Sequence, residues 1–249
     1  MTLDLNFDGK VAVITGAGSG MGLLASEKFA ESGASVAMLD INEAALNESA
    51  EKFKRMGYSV LPIVCDVRKF ESLKAAVDLA KNTFGRIDIT ISFAGGYAGR
   101  ILGDSIELSK VRHETIDWSI EVNLRAPIYM AMCAFDYLKE NGGTVIHLGS
   151  ITGHDGNAPA YSPCKYGLIS FTKTVALQGA PYGIRSVCVT PGPVLTRPNM
   201  AEMKTLMGYA AEPIELVRTI MYLCSDYARS ITGCEYLVDG GRRVMMSEK

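Results

Sequence analysis

Short apolar, β-branched runs alternate with longer stretches of helical periodicity along the 249-residue chain. KVAVIT (10–15), ASVAMLD (34–40), YSVLPIV (58–64), RIDITIS (86–92), GTVIHLG (143–149), IRSVCVT (184–190) and CEYLVD (234–239) predict seven strands. Helices are expected at about 20–32, from a cap at Asn42 to about Met56, and at about 69–84, with others filling the later gaps. Strands that alternate with helices imply βαβ crossovers. The expected fold class is α/β, with a mostly parallel sheet and helices on both faces.

No linker-like or repetitive segment interrupts this order, so one domain is expected over 1–249. Ligands of such sheets bind beyond the carboxyl ends of the strands, which puts the interest near residues 15, 40, 65, 92, 149 and 190. Composition narrows the function. Hydrophobic residues are 48% and charged residues 21%, the net charge is −2 and the pI about 6.0, with no basic stripe that would suit nucleic acid. No apolar run approaches the ~20 residues of a membrane span. The start MTLDLNFDGK lacks the basic and apolar regions of a signal peptide. Six cysteines (65, 133, 164, 188, 224, 234) show no CxxC and no metal-ligand spacing, which reads as reduced thiols in a cytoplasm. His113, His147 and His154 are likewise unspaced for a metal, and His147 alternates within a strand as packing, so no metal site is expected.

TGAGSGMG (15–22) joins the first strand to the first helix. Gly16 can make the tight turn, Gly20 lets backbone approach a pyrophosphate, and Gly22 permits close helix–strand packing. The helix start then offers N–H groups to phosphate. Asp40 ends the second strand, twenty residues after Gly20, where a carboxylate can accept bonds from ribose hydroxyls and repel a 2′-phosphate. The glycine loop has no Arg or Lys to offset that repulsion, so NAD is favoured over NADP. Asp66 after the third strand either bonds an adenine edge or caps.

APAYSPCKYG (158–167) places Tyr161 and Lys165 four positions apart, on one face if the segment is helical. Pro163 suits that helix only in its first turn, where its missing N–H breaks no bond. A free tyrosine titrates near ~10. An ammonium one turn away, with an oxidised nicotinamide, would lower that value and equip Tyr161 as a general acid/base.

Taken in order, these residues resemble the compact branch of the short-chain dehydrogenase/reductase family. The resemblance covers nearly the whole chain: Thr15-Gly16-xxx-Gly20-x-Gly22, Asp66-Val67, Ala94-Gly95, Asn123 in EVNL, Ser150, Tyr161-xxx-Lys165, PGPVLT (191–196) and VDGG (238–241). It implies a doubly wound, Rossmann-type seven-stranded sheet and hydride transfer between a nicotinamide and an alcohol or ketone. Tyr161 would be the acid/base, and Lys165 would bond the nicotinamide ribose. Ser150 would hold the substrate oxygen, Asn123 a relay water, and Thr196 the carboxamide. Ser19, Met21, Ile41, Val67, Ala94, Gly95, Pro191, Gly192 and Val194 complete the implied cofactor set. Asn123 could instead cap a helix starting near Leu124.

Two departures stand out. The family's usual Asn-Asn-Ala-Gly run is here SFAG (92–95), in which Ser92 can make one hydrogen bond and Phe93 packs near the adenosine or in the core. Ser150 and Tyr161 are 11 positions apart, shorter than usual, which could reshape the substrate pocket and leaves Thr152 as a lesser stand-in for Ser150. For substrate the cues conflict. Tyr97, Arg100, Asp104, His154, Asp155 and Asn157 suggest a polar pocket for a sugar, polyol or hydroxy acid, and Arg197 could meet a carboxylate. Met200, Met203 and Met207 favour a steroid-like or acyl substrate. Loops at about 96–122 and 193–212 would carry this specificity. The helices at 124–140 and 161–179 are apolar on several sides and predict a homodimer or homotetramer. A serine hydrolase lacks its G-x-S-x-G elbow at Ser150. A non-catalytic NAD-binding protein would not need Ser150, Tyr161 and Lys165 together.

Overall fold

The computed structural model of the protein describes residues 5–246; residues 1–4 and 247–249, part of the expected 1–249 domain, lie outside the described residues. In chain order the regular elements are β1 (Val11–Thr15), α1 (Gly20–Glu31), β2 (Ser35–Asp40), α2 (Glu43–Arg55), β3 (Val60–Val64), α3 (Phe70–Phe84), β4 (Ile89–Ser92), α4 (Ala98–Ile101), α5 (His113–Ile120), α6 (Ala126–Lys139), β5 (Gly143–Leu148), α7 (Thr152–Asp155), α8 (Ser162–Gly179), β6 (Ile184–Pro191), α9 (Pro213–Cys224), β7 (Cys234–Val238) and α10 (Arg242–Met246). The strands form one parallel sheet in the order β3-β2-β1-β4-β5-β6-β7.

The apolar runs become strands because the sheet is covered on both faces. Every residue of β1 and β4 is buried, as a central parallel strand requires. The edge strands are only partly buried, and β3 tolerates Pro62 because an edge strand can lack a donor. One core layer lies under α1 and α9, around Phe29, Met38, Leu216 and Ile220. The other lies under α3 and α6, around Leu73, Val77, Met130 and Leu138. α2 begins as expected, with Asn42 Oδ1 accepting the Ala45 N–H at 3.2 Å, and buries Leu46, Ala50 and Phe53 along one stripe.

Two stretches differ from the pattern's prediction. The helix expected to start near Leu124 begins at His113; α5 runs into α6 through a π-turn at Glu121–Arg125. Pro127 explains the break, since it has no N–H to give the carbonyl four residues back. The loop expected between Ser150 and Tyr161 contains α7. Burial raises all six thiols, Cys133 and Cys188 to about 11 and Cys224 to about 12, so none is a reactive thiolate near neutrality.

His147, in β5, is fully buried against Phe171, and among the described residues neither ring nitrogen has a hydrogen-bond partner. Burial, reinforced by the charge of Lys165, pushes its pKa down to about 3. An unfolded chain takes up this proton near 6.5 and the fold does not. Stability from this residue is therefore complete above about 6.5 and falls as pH drops toward 3, by up to about 1.4 kcal/mol per pH unit. In His147→Leu, melting temperature should fall less steeply than in the native protein between pH 6.5 and 4. A constant offset between the two curves would contradict the assignment.

Candidate active site

The chain leaves β1 toward β2 and β3, then returns to place β4 on the other side of β1. The loops after β1 and β4 diverge there, which opens a crevice at the carboxyl ends of the strands. The glycine loop lines its floor. Gly16 has φ +69°, and a Cβ on it would lie 2.8 Å from the Ala94 nitrogen. A Cβ on Gly22 would lie 2.2 Å from the Gly16 carbonyl oxygen. Both positions must be glycine for α1 to start this close to β1 and the β4 loop. Ser19 precedes α1 without a side-chain cap, and no acidic residue occupies the first turn, so the helix start is open to an anion.

Asp40 closes the far end. Its carboxylate accepts the Gly18 N–H at 2.9 Å and the Asn42 N–H at 2.9 Å, which fixes its position at the edge of a cavity of about 600 Å³. Gly16, Ser19, Gly20, Met21, Gly22, Ile41, Asp66, Val67, Ala94, Gly95 and Thr196 line the same cavity. The groove's open helix start, close glycine backbone and terminal carboxylate fit a dinucleotide. Asp66 stands in the groove, but Arg68 occupies its carboxylate through Nε at 2.9 Å, Nη2 at 2.8 Å and the backbone N–H at 3.1 Å, and holds its pKa low. These bonds fix the carboxylate at the edge of the groove. Arg68 went unread in the sequence; only its place two residues after Asp66 could have signalled it. Phe93 packs on the core and lines the groove, while Thr15 Oγ1 accepts the Ala94 N–H at 3.2 Å.

A second cavity of about 600 Å³ adjoins the first and is lined by Ser150, Tyr161, Lys165, Pro191, Gly192, Val194 and Thr196. Tyr161 precedes α8, Pro163 lies within the first two helical positions, and Lys165 follows one turn on. The Lys165 ammonium is buried, donates to the Leu148 carbonyl at 2.7 Å and lies 5.4 Å from the Tyr161 ring centroid. On its other side Tyr97 packs edge-on against Tyr161, centroids 6.0 Å apart. Ser150 Oγ accepts the Thr152 N–H at 3.2 Å, which leaves its own proton for another acceptor. Cys164 turns away and donates to the Ala160 carbonyl at 3.3 Å.

Of the two roles expected of Asn123, the helix cap is not the one the fold gives it. It lies within the π-turn and is fully buried, so it does not cap a helix at Leu124. Its Oδ1 accepts the Gly96 N–H at 2.9 Å, and Nδ2 donates to the Gly96 carbonyl at 3.0 Å and Ser119 Oγ at 3.2 Å. Both amide protons are therefore engaged, so a relay water at Asn123 would donate to it rather than accept from it. What Asn123 does is hold the loop after β4; a Cβ on Gly95 would lie 2.6 Å from Asn123 Oδ1 and 3.9 Å from Lys165 Nζ.

The polar residues proposed for substrate divide. Tyr97, Arg100, Asn157 and Arg197 line the second cavity. Asp104 folds back on its own loop: its carboxylate accepts from Thr115 Oγ1 at 2.6 Å and the Arg112 N–H at 2.9 Å, which lowers its pKa to about 2. His154 and Asp155 line a neighbouring cavity, where His154 pairs with Glu235 at 2.7 Å. Met200 and Met203 line the second cavity, while Met207 is exposed. Among the described residues no group of three His, Cys, Asp or Glu could hold a metal, and no helix is long and apolar enough to cross a membrane.

Comparison with known proteins agrees with this geometry. A family model described as enoyl-(acyl carrier protein) reductase matches residues 16–243. Cyclohexanol dehydrogenase of Acinetobacter sp. (strain SE19) is 34% identical over 243 residues, covering 94% of this chain and 95% of that one. Trans-4-hydroxycyclohexanecarboxylate dehydrogenase of Sinomonas cyclohexanicum is 33% identical over 247 residues, covering 93% and 92%. The solved structure of a 7α-hydroxysteroid dehydrogenase complexed with NADH and 7-oxo glycochenodeoxycholic acid matches with a TM-score of 0.87 at 25% identity, covering 96% of each chain. The chain belongs to the short-chain dehydrogenase/reductase family, a class of nicotinamide-dependent oxidoreductases.

Proposed function

We propose that the protein is an NAD-dependent dehydrogenase that interconverts a secondary alcohol and its ketone, with Tyr161 as the general acid/base. The carrying observation is the buried Lys165 ammonium set beside the Tyr161 ring, at the point where the substrate cavity meets the glycine groove. Bound in the groove, the nicotinamide would exchange a hydride with the carbon that bears the reacting oxygen. Tyr161 takes the proton from that oxygen as the ketone forms and returns it on reduction. Lys165 stabilises the phenolate left behind, and Ser150 donates a hydrogen bond to the substrate oxygen. Asn123 positions the Gly95–Gly96 loop beside Lys165, and Thr196 lies between the two cavities as the candidate partner for the carboxamide. One domain carries the groove and both substrate loops.

NAD is preferred because the Asp40 carboxylate stands at the ribose end of the groove, while the nearby cation, Arg68, is already committed to Asp66. The substrate is a polar secondary alcohol of the polyol, sugar or hydroxy-acid kind. Ile106, Met200 and Met203 in the same cavity favour the alternative of an apolar ring or steroid-like body, and the ring alcohols named for the relatives agree with it. The free, raised thiols fit a reducing cytoplasm. Met132 on α6 and Tyr166 and Leu177 on α8 are exposed, consistent with a homodimer or homotetramer built on those helices.

In Tyr161→Phe, kcat should fall by about 10²–10⁴-fold with NADH affinity nearly unchanged, the latter read through Trp118, which lines the groove. Wild-type turnover in this variant would refute the mechanism. In Asp40→Ala, use of NADP relative to NAD should rise by about tenfold or more, since a like charge is removed from the 2′-phosphate. No such gain would refute the role of Asp40. Light scattering should give a mass at least twice 26.8 kDa; a monomer would overturn the assembly.

A further inference from the structure

The cavity beside Tyr161 is lined by three cationic side chains, Arg100, Lys165 and Arg197, and by no carboxylate. Lys165 is engaged with the Leu148 carbonyl and faces the Tyr161 ring. The two arginines have no such employment. Among the described residues neither makes an ion pair, and the Arg197 side chain has only a 3.8 Å contact from Nη2 to Met200 Sδ. Other arginines nearby are paired: Arg68 with Asp66, Arg112 with Asp104 and Arg125 with Glu121. Two unpaired guanidinium groups in one cavity repel each other and invite an anion between them.

Their placement says which anion. Arg100 comes from α4 in the 96–122 loop, and Arg197 follows Thr196 in the loop after β6. They approach the cavity from two separate loops, and both line it together with Ser150 and Tyr161. Asp40 and Arg68 line only the groove, at its adenosine end. The arginines also border the groove, so the pyrophosphate of the cofactor is the competing anion. That group already has the open start of α1 and the glycine loop to receive it.

We propose that Arg100 and Arg197 form a clamp for a carboxylate on the substrate, which makes the substrate a hydroxy acid and its product an oxo acid. This deepens the function proposed above and rests on it. The carboxylate bridges the two substrate loops while the hydroxyl at the other end of the molecule meets Tyr161 and Ser150. The apolar lining from Ile106, Met200 and Met203 then covers the carbon skeleton between them. Burial of Arg197, with the charge of Arg100 beside it, lowers the Arg197 guanidinium below its usual value. A bound carboxylate would relieve that penalty.

The test measures binding apart from turnover. Calorimetry on the NADH-loaded protein compares cyclohexanecarboxylate, which has no hydroxyl to react, with the neutral cyclohexanecarboxamide. The native protein should bind the carboxylate at least about tenfold more tightly. Arg100→Met and Arg197→Met should each erase that preference, with carboxamide affinity and NADH affinity within about threefold of native. Equal binding of the two probes by the native protein overturns the clamp. Loss of NADH affinity in either variant also overturns it, and assigns the arginines to the cofactor's pyrophosphate. If the carboxylate binds as expected but no hydroxy acid, polyol or ring alcohol reduces NAD, the clamp stands and the dehydrogenase reading is the one that fails.

Discussion

A buried ammonium has to be satisfied, and much of the site follows from how this one is. Lys165 reaches the cavity from α8 and donates to the carbonyl at the end of β5. That bond ties the helix that carries the proposed acid/base to the strand that delivers Ser150. It also sets Tyr161, one turn earlier, against the ammonium. Leaving such a charge unpaired would cost several kcal/mol. Glycine at 95 keeps space beside the same group, and Asn123 secures that glycine's neighbour from below. Three segments distant in sequence are thus registered on one atom.

Charge is graded along the crevice. Carboxylates stand at the end nearest α2, at Asp40 and Asp66, and guanidinium groups stand at the mouth of the substrate cavity. The Gly18 and Asn42 amides orient the first carboxylate, and Arg68 neutralises the second. A cofactor with a neutral sugar edge toward Asp40 and an anionic substrate beyond its other end match that gradient, and the reversed arrangement opposes it. The fold imposes this polarity because the two ends are built on different halves of the sheet.

The fold was largely legible because central parallel strands are apolar on both faces, and VAVIT and ITIS cannot be much else when glycine turns and helical patterns separate them. The glycine loop, Asp40, Ser150, Tyr161 and Lys165 were legible for a related reason: each sits where a strand ends or a helix starts, and such places have sequence marks. What stayed hidden depends on side chains crossing between elements. Asp104 has the type and position of a substrate ligand, yet it is spent on Thr115 and the Arg112 amide, eight or more residues away. His154 pairs with Glu235 across 81 positions. Arg68 pairs with both oxygens of Asp66. No local pattern reveals a partner chosen by tertiary folding.

The π-turn between α5 and α6 also reads as an extra residue held within a helix. Each residue of a regular helix turns the chain by about 100°. Taking one residue out of 121–125 would swing Asn123 away from Gly96 and unfasten the loop beside Lys165. The irregularity is therefore a setting of rotational phase between the two ends of one rod.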